Sequence, residues 1–242
     1  MEVFGVTDTG KIRRNNQDCF LTLQTENVCA AVVCDGMGGA RAGQTASAIA
    51  SSVFMSHMQM CTAQKNTPLS LETMIKDAAQ YANIKVYDRA YTDRNCRGMG
   101  TTLVAAAAAG DRLTVVNIGD SRAYLISGDE IRQITEDHSY VQELVKLGEI
   151  TPEEARTHPR KNIITRSVGS RIEVESDVFT CEIHDGDIVL LCSDGVSNLI
   201  EDAELLDIIR SENAPDGICR RLIDISLERG APDNVTAVAL LV

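Results

Sequence analysis

The apolar positions of the chain follow two rhythms. Short apolar runs bounded by Gly, Asp or Asn read as strands: Glu2–Thr7, Cys19–Leu23 and Val28–Cys34. Thr101–Ala109 and Arg112–Ile118 read as a hairpin closed by Gly110-Asp111, and Ser121–Ile126 and Glu130–Ile134 as another around Ser127-Gly128-Asp129. Glu173–Glu182 and Asp187–Cys192 are expected to form a third hairpin around His184-Asp185-Gly186, with Asn234–Val242 as a closing strand. Elsewhere the spacing changes to three and four. Gln44–Met60 places Ala46, Ile49, Val53 and Met60 along one helical face. Ser70-Leu71-Glu72-Thr73 starts a helix that runs to about Ala90, and Asp202–Ser211 and Asp216–Glu228 give two more. Lys65-Asn66-Thr67-Pro68 reads as a loop.

Asp137–Ile172 fits neither rhythm. It is polar, with a short helix near Val141–Leu147 and an acidic second start at Thr151-Pro152-Glu153-Glu154. It is expected to be a flap inserted into a single domain and more mobile than the sheets. Strands grouped with strands, beside paired helices, predict a layered α+β fold with antiparallel sheets.

Composition narrows the function. Of 242 residues 44% are hydrophobic and 24% charged, as in ordinary globular proteins, but Trp is absent, so aliphatic side chains must carry the core. A net charge of −12 argues against nucleic acid or an anionic membrane as partner, and an anionic substrate would need local positive charge or a metal. The longest apolar runs, Leu103–Ala109 and Ala237–Val242, fall far short of the ~20 residues that span a bilayer. The first residues lack an apolar signal core, so a cytoplasmic location is expected. None of the eight cysteines forms a C-x-x-C pair, and Cys29, Cys34, Cys181 and Cys192 read as small core residues. None begins a C-x₅-R pattern, so a thiol nucleophile has no phosphate cradle.

Four carboxylates share one setting. Asp18, Asp35, Asp194 and Asp233 each end or begin a predicted strand beside Gly or an amide residue. The run Val28–Cys34 stops at Asp35-Gly36-Met37-Gly38-Gly39, and Leu190–Cys192 stops at Ser193-Asp194-Gly195. One Asp-Gly is usually a turn; recurrence shifts the reading to a site. Carboxylates brought together repel unless protonated or bound to a cation. No His or Cys cluster accompanies them, so the donors suit Mg²⁺ or Mn²⁺ rather than zinc. Two such ions about 3.5–4 Å apart can activate a water and neutralise a phosphoryl group.

The ordered motifs Thr7-Asp8-Thr9-Gly10…Arg13…Asn16-Gln17-Asp18, Asp35-Gly36-Met37-Gly38-Gly39, Gly100-Thr101-Thr102, Gly119-Asp120-Ser121-Arg122, Ser193-Asp194-Gly195 and Asp233-Asn234-Val235-Thr236 resemble those of the type 2C metal-dependent protein phosphatases, especially compact bacterial members. The resemblance runs from Thr7 to Val242. It implies a four-layer α-β-β-α sandwich, two or three Mn²⁺ or Mg²⁺ ions, and hydrolysis of phosphoserine and phosphothreonine in proteins by a metal-activated water. Residue by residue, it implies that Asp35 bridges two metals, that the Gly36 carbonyl ligates the second, and that Asp194 and Asp233 ligate the first. Asp18 would contact metal-bound water, Arg13 the phosphate, and Asp120 either a third metal or merely a hairpin turn. Arg14 reads as surface charge and Arg166 as a structural ion-pair partner, while His57, His138, His158 and His184 lack any evident pairing. The chain departs from the family at Gln17, where Glu is usual, and at Ala40, where bacterial members often carry His, so no leaving-group proton donor is assigned there.

The reading implies a monomer acting on phosphorylated proteins, a Ser/Thr protein kinase among them, with no nucleic-acid or membrane partner. One rival is a fold-keeping regulatory module with weak catalysis, which the complete Asp set opposes. Another is a phosphatase dedicated to one small regulatory phosphoprotein; such enzymes usually carry sensory domains for which this chain has no room. A small-molecule phosphoesterase is the third.

Overall fold

The computed structural model describes residues 1–39, 42–63, 69–212 and 214–242. The expected Lys65–Pro68 loop lies outside them. One five-stranded sheet runs in the order β1 (Glu2–Asp8), β11 (Val235–Leu241), β10 (Ile188–Cys192), β7 (Arg122–Ser127), β8 (Glu130–Gln133). The other runs β2 (Asp18–Gln24), β3 (Cys29–Met37), β5 (Leu103–Ala109), β6 (Arg112–Ile118), β9 (Asp177–Glu182), with the two-residue β4 (Gly100–Thr101) on the end of β3. The strand pairs are antiparallel.

The two sheets pack face to face. Ala31 and Val33 of β3, Val104 and Ala106 of β5, Leu191 of β10 and Val238 of β11 share one buried cluster. The alternate β3 positions Ala30, Val32 and Cys34 pack instead against α1 (Ala42–Ala63) and α2 (Leu71–Thr92). Leu190 and Cys192 face α6 (Asp202–Ser211) and α7 (Pro215–Glu228). Both faces of β3 are therefore covered, which is why Val28–Cys34 is apolar at every position instead of alternating. The expected α-β-β-α sandwich is present. Ser70 caps α2, its hydroxyl accepting from the Thr73 amide at 3.1 Å.

One expected pairing is wrong. Residues 173–182 and 187–192 do not form a hairpin: β9 pairs with β6, and β10 sits between β11 and β7 in the other sheet. The turn between them carries the chain across the sandwich. It is held by Asp187 accepting from the His184 amide at 2.9 Å and by the Gly186 amide donating to Val242 at 3.2 Å. Adjacent apolar runs mark two strands but not the sheet each joins.

The segment expected to be a flap holds α3 (Tyr140–Lys146) and α4 (Pro152–Thr157), the latter with a Thr151/Glu154 capping box. Its root is fastened: Thr101 and Val168 exchange backbone hydrogen bonds at 3.1 and 2.8 Å, and the Tyr140 amide donates to Ile163 at 2.8 Å. Leu147, Ile163 and Ile172 are exposed. No described helix is long and apolar enough to cross a membrane.

Candidate active site

Asp18 and Asp35 lie directly opposite each other in the β2–β3 register. β3 does not end at Cys34; it continues through Asp35 to Met37, because β4 pairs with its tip. The Gly100-Thr101-Thr102 motif is a brace for that tip. The Asp35 amide donates to Thr102 Oγ1 at 2.8 Å, while the Asp35 carbonyl accepts from the Thr102 amide and from Thr101 Oγ1, both at 2.8 Å. Thr102 Oγ1 in turn meets Ser121 Oγ at 2.7 Å, which ties Gly119-Asp120-Ser121 to the same brace. Gly36 has to be glycine: a Cβ there would lie 2.1 Å from the Gly43 carbonyl oxygen and 2.7 Å from that of Gln17.

On the other sheet, Asp194 opens the short helix α5 (Asp194–Ser197), an element the apolar pattern does not reveal. Its Oδ2 accepts from Asn198 at 3.0 Å. Gly195 lets the chain pass against β11, since a Cβ would lie 1.9 Å from the Asn234 carbonyl oxygen. Asn234 stitches the β1–β2 connection: its Oδ1 accepts from the Gln17 amide at 2.8 Å, and its Nδ2 donates to the carbonyls of Thr9 and Asn15 at 2.8 and 3.0 Å. Asp18 Oδ2 accepts from Ser193 Oγ at 2.7 Å and Thr236 Oγ1 at 2.6 Å. Ser193, Thr236, Asn234 and Thr102 are thus site residues to which sequence reading assigned no role. Their place inside the recognised motifs was the available signal.

Arg13, Asp35, Gly36, Asp120, Asp194 and Asp233 line one open cleft of about 480 Å³. Asp18 stands behind it, buried between the sheets. Burial first, and then Asp194 and Asp233, push the Asp18 carboxyl up to about 7 against the opposing hydrogen bonds of Thr236 and Ser193. Burial and Asp233 raise Asp194 to about 6. Asp35 is held well above the usual carboxylate range by burial, then by Asp18, Asp194, Asp120 and Asp233, and Asp120 likewise by burial, Asp194 and Asp137.

These side chains converge without closing into a cage. Among the described residues no three acidic, His or Cys groups are preassembled to hold an ion. The donor set nonetheless fits an oxygen-preferring divalent cation. Asp18 Oδ1 and Asp194 Oδ1 are buried with no hydrogen-bond partner, and a positive partner would relieve both them and the mutual repulsion of the acids.

Arg13 lies in the cleft, with Nη2 2.7 Å from Asp233 Oδ2. Arg14 lines the same cleft. The Gln17 side chain donates to the Gly39 carbonyl at 2.7 Å. Ala40 lies outside the described residues. Arg166 is the ion-pair partner expected, with Asp177 at 2.8 Å and Glu175 at 3.4 Å. His138 differs from expectation. It is buried and paired: Nδ1 accepts from the Gly119 amide at 3.1 Å and Nε2 lies 3.1 Å from Asp177 Oδ2, so it buttresses the turn that carries Asp120.

A family profile described as Protein phosphatase 2C matches residues 11–220. The chain is 39% identical to the serine/threonine phosphatase stp of Listeria innocua over 233 residues, which cover 96% of this chain and 92% of that protein. The crystal structure of the serine/threonine phosphatase Stp1 from Staphylococcus aureus superposes with a TM-score of 0.92 at 34% identity, covering 100% of this chain and 94% of that one. A structure of the catalytic domain of serine threonine protein phosphatase PstP in complex with two manganese ions matches with a TM-score of 0.83 at 35% identity, covering 98% and 96% of the two chains. The profile match spans most of the chain and the likenesses extend over nearly all of it: this chain belongs to the protein phosphatase 2C family.

Proposed function

We propose that the chain is a metal-dependent protein phosphatase that hydrolyses phosphoserine and phosphothreonine in proteins, reversing the action of Ser/Thr kinases. The observation that carries this is the convergence of Asp35, Asp120, Asp194, Asp233 and Arg13 on one solvent-open cleft backed by buried Asp18. Two or three Mn²⁺ or Mg²⁺ ions, held by Asp35, the Gly36 carbonyl, Asp194, Asp233, Asp18 and Asp120, would supply an activated water and positive charge for the phosphoryl group.

The chain's own residues do the rest. Thr101 and Thr102 fix the backbone that carries Asp35, which limits the movement its carboxylate needs to reach an ion to side-chain rotation. Ser193 and Thr236 hold one Asp18 oxygen and leave the other buried without a hydrogen-bond partner. Arg13 contributes charged hydrogen bonds to phosphate oxygens, a fork geometry suited to that anion. Its bond to Asp233 keeps the guanidinium at the cleft between turnovers. Location in the cytoplasm, action as a monomer and a kinase among the substrates belong to the same reading. The flap of residues 137–172, with Asn162 and Ile164 lining the cleft, is suited to influence substrate choice.

The test is hydrolysis of a phosphothreonine peptide by wild type and by Asp35→Asn, with Mn²⁺ and with chelator, beside a sugar phosphate. Metal-dependent turnover of the peptide, lost in the variant, is expected. Turnover insensitive to both chelator and the variant, or confined to the sugar phosphate, would overturn the proposal.

A further inference from the structure

A second cleft, of about 650 Å³, opens on the far side of Met37. Tyr87 and Tyr91 from the end of α2 line it, with Arg94 and Arg97 from the tight turn that follows. Met37 lines this cleft and the carboxylate cleft alike, so one residue separates the two. The wall between them is rigid: Met37 pairs with Gly100 in the β3–β4 ladder, and Met99 beside it is buried.

The charge of this second cleft runs against that of the molecule. The chain carries −12, yet the cleft holds two arginines and no carboxylate. Among the described residues neither Arg94 nor Arg97 has an ion-pair partner, and the neighbouring Asp93 is occupied, by Arg89 at 2.9 Å and by the Asn95 amide at 3.0 Å. Both arginines are exposed. The turn that presents them is anchored by buried Cys96. Tyr91, 82% exposed, lies nearly parallel to Tyr87 with ring centroids 6.4 Å apart, giving the cleft an aromatic side. Two guanidiniums with no ion-pair partner among the described residues, next to the carboxylate cleft, are suited to receive an anion.

The geometry points to a specificity subsite. With the scissile phosphate in the carboxylate cleft, the substrate peptide crosses Met37 and places a second anionic side chain on Arg94 and Arg97. The class of substrate is a phosphopeptide carrying a carboxylate or a second phosphate close to the residue hydrolysed. Asp35 and Met37 are two residues apart on β3, about 7 Å at about 3.3 Å per residue, so an anion held beyond Met37 sits at least about two residues away on an extended peptide. This inference rests on the phosphatase reading above.

The experiment compares peptides with one phosphothreonine and either Ala, Glu or phosphoserine at each position about two to four residues to either side. Wild type, Arg94→Ala/Arg97→Ala and the charge-reversed Arg94→Glu/Arg97→Glu are assayed on each, with p-nitrophenyl phosphate as a substrate too small to reach the second cleft. Wild type should favour an anionic residue at a matched position on one side by about 5- to 20-fold in kcat/KM, phosphoserine more than Glu. The preference should vanish in the first variant and invert in the second, with aryl phosphate turnover unchanged in both. Equal rates on all peptides, a preference that survives both variants, or a parallel fall in aryl phosphate turnover would overturn the subsite. Aryl phosphate turnover with no hydrolysis of any phosphopeptide would instead sink the protein-phosphatase reading, and the subsite with it.

Discussion

Asp18 offers a sharp test of how the site stores charge. It is 7% exposed, and its carboxyl is pushed from 3.8 up to about 7, chiefly by burial. Between those two values the folded, metal-free protein binds more protons than the unfolded chain, so stability falls as pH rises through the window. A shift of about three pH units at about 1.4 kcal/mol each makes the loss about 4 kcal/mol by pH 8. Asp194, raised to about 6, acts in the same direction. Asp18→Asn keeps the shape, and its amide oxygen can accept the Ser193 and Thr236 hydrogen bonds without carrying charge. In chelator, urea unfolding should find the variant more stable than wild type by about 1–2 kcal/mol at pH 5 and about 4 kcal/mol at pH 8. In excess Mn²⁺ the order should reverse, because wild type gains more binding free energy. Wild type equal to or more stable than the variant at pH 8 in chelator would refute the reasoning: Asp18 would then not be an uncompensated buried anion.

Other expectations follow from the same geometry. Arg13→Ala should raise KM and lower kcat/KM by about 10- to 100-fold, the loss of a charged hydrogen bond of about 1.5–3 kcal/mol, while Arg14→Ala, at a residue that lines the same cleft but does not pair with Asp233, should cost less. Because Arg13 pairs with Asp233, its removal should not weaken Mn²⁺ binding; a higher Mn²⁺ midpoint would make Arg13 structural. Gln17→Glu adds charge near the site but loses the donor to the Gly39 carbonyl, and a lower Mn²⁺ midpoint for activity is expected; an unchanged or higher one would show that the lost hydrogen bond outweighs the charge. Thr102→Val leaves the buried Asp35 amide and Ser121 hydroxyl without their partner, and unfolding should show a loss of about 1–3 kcal/mol. Amide exchange should be faster across α3 and α4 than in β3; equal protection would count against a flap.

Most strands and the longer helices were legible because their signals are local. The unbroken Val28–Cys34 run, the Ala46-Ile49-Val53 spacing and the Ser70 cap each depend on neighbours a few residues away. The site acids were legible for a related reason. Each sits in a short motif beside Gly or an amide residue, and the order of those motifs along the chain is itself written in the sequence.

What the residues could not show are facts about distant partners. β9 and β10 look like a hairpin, yet β9 pairs with β6 in one sheet and β10 with β11 and β7 in the other. α5 is too short to have a period. His138, read as unpaired, acquires Gly119 and Asp177 only when the chain folds back on itself. The hydroxyls on Asp18 come from Ser193 and Thr236, far along the chain, and its raised affinity for protons comes chiefly from burial, with Asp194 and Asp233 adding to it. Periodicity and capping are properties of adjacent residues; burial, electrostatic coupling and the choice of strand partner arise from chain segments that meet only in the folded state.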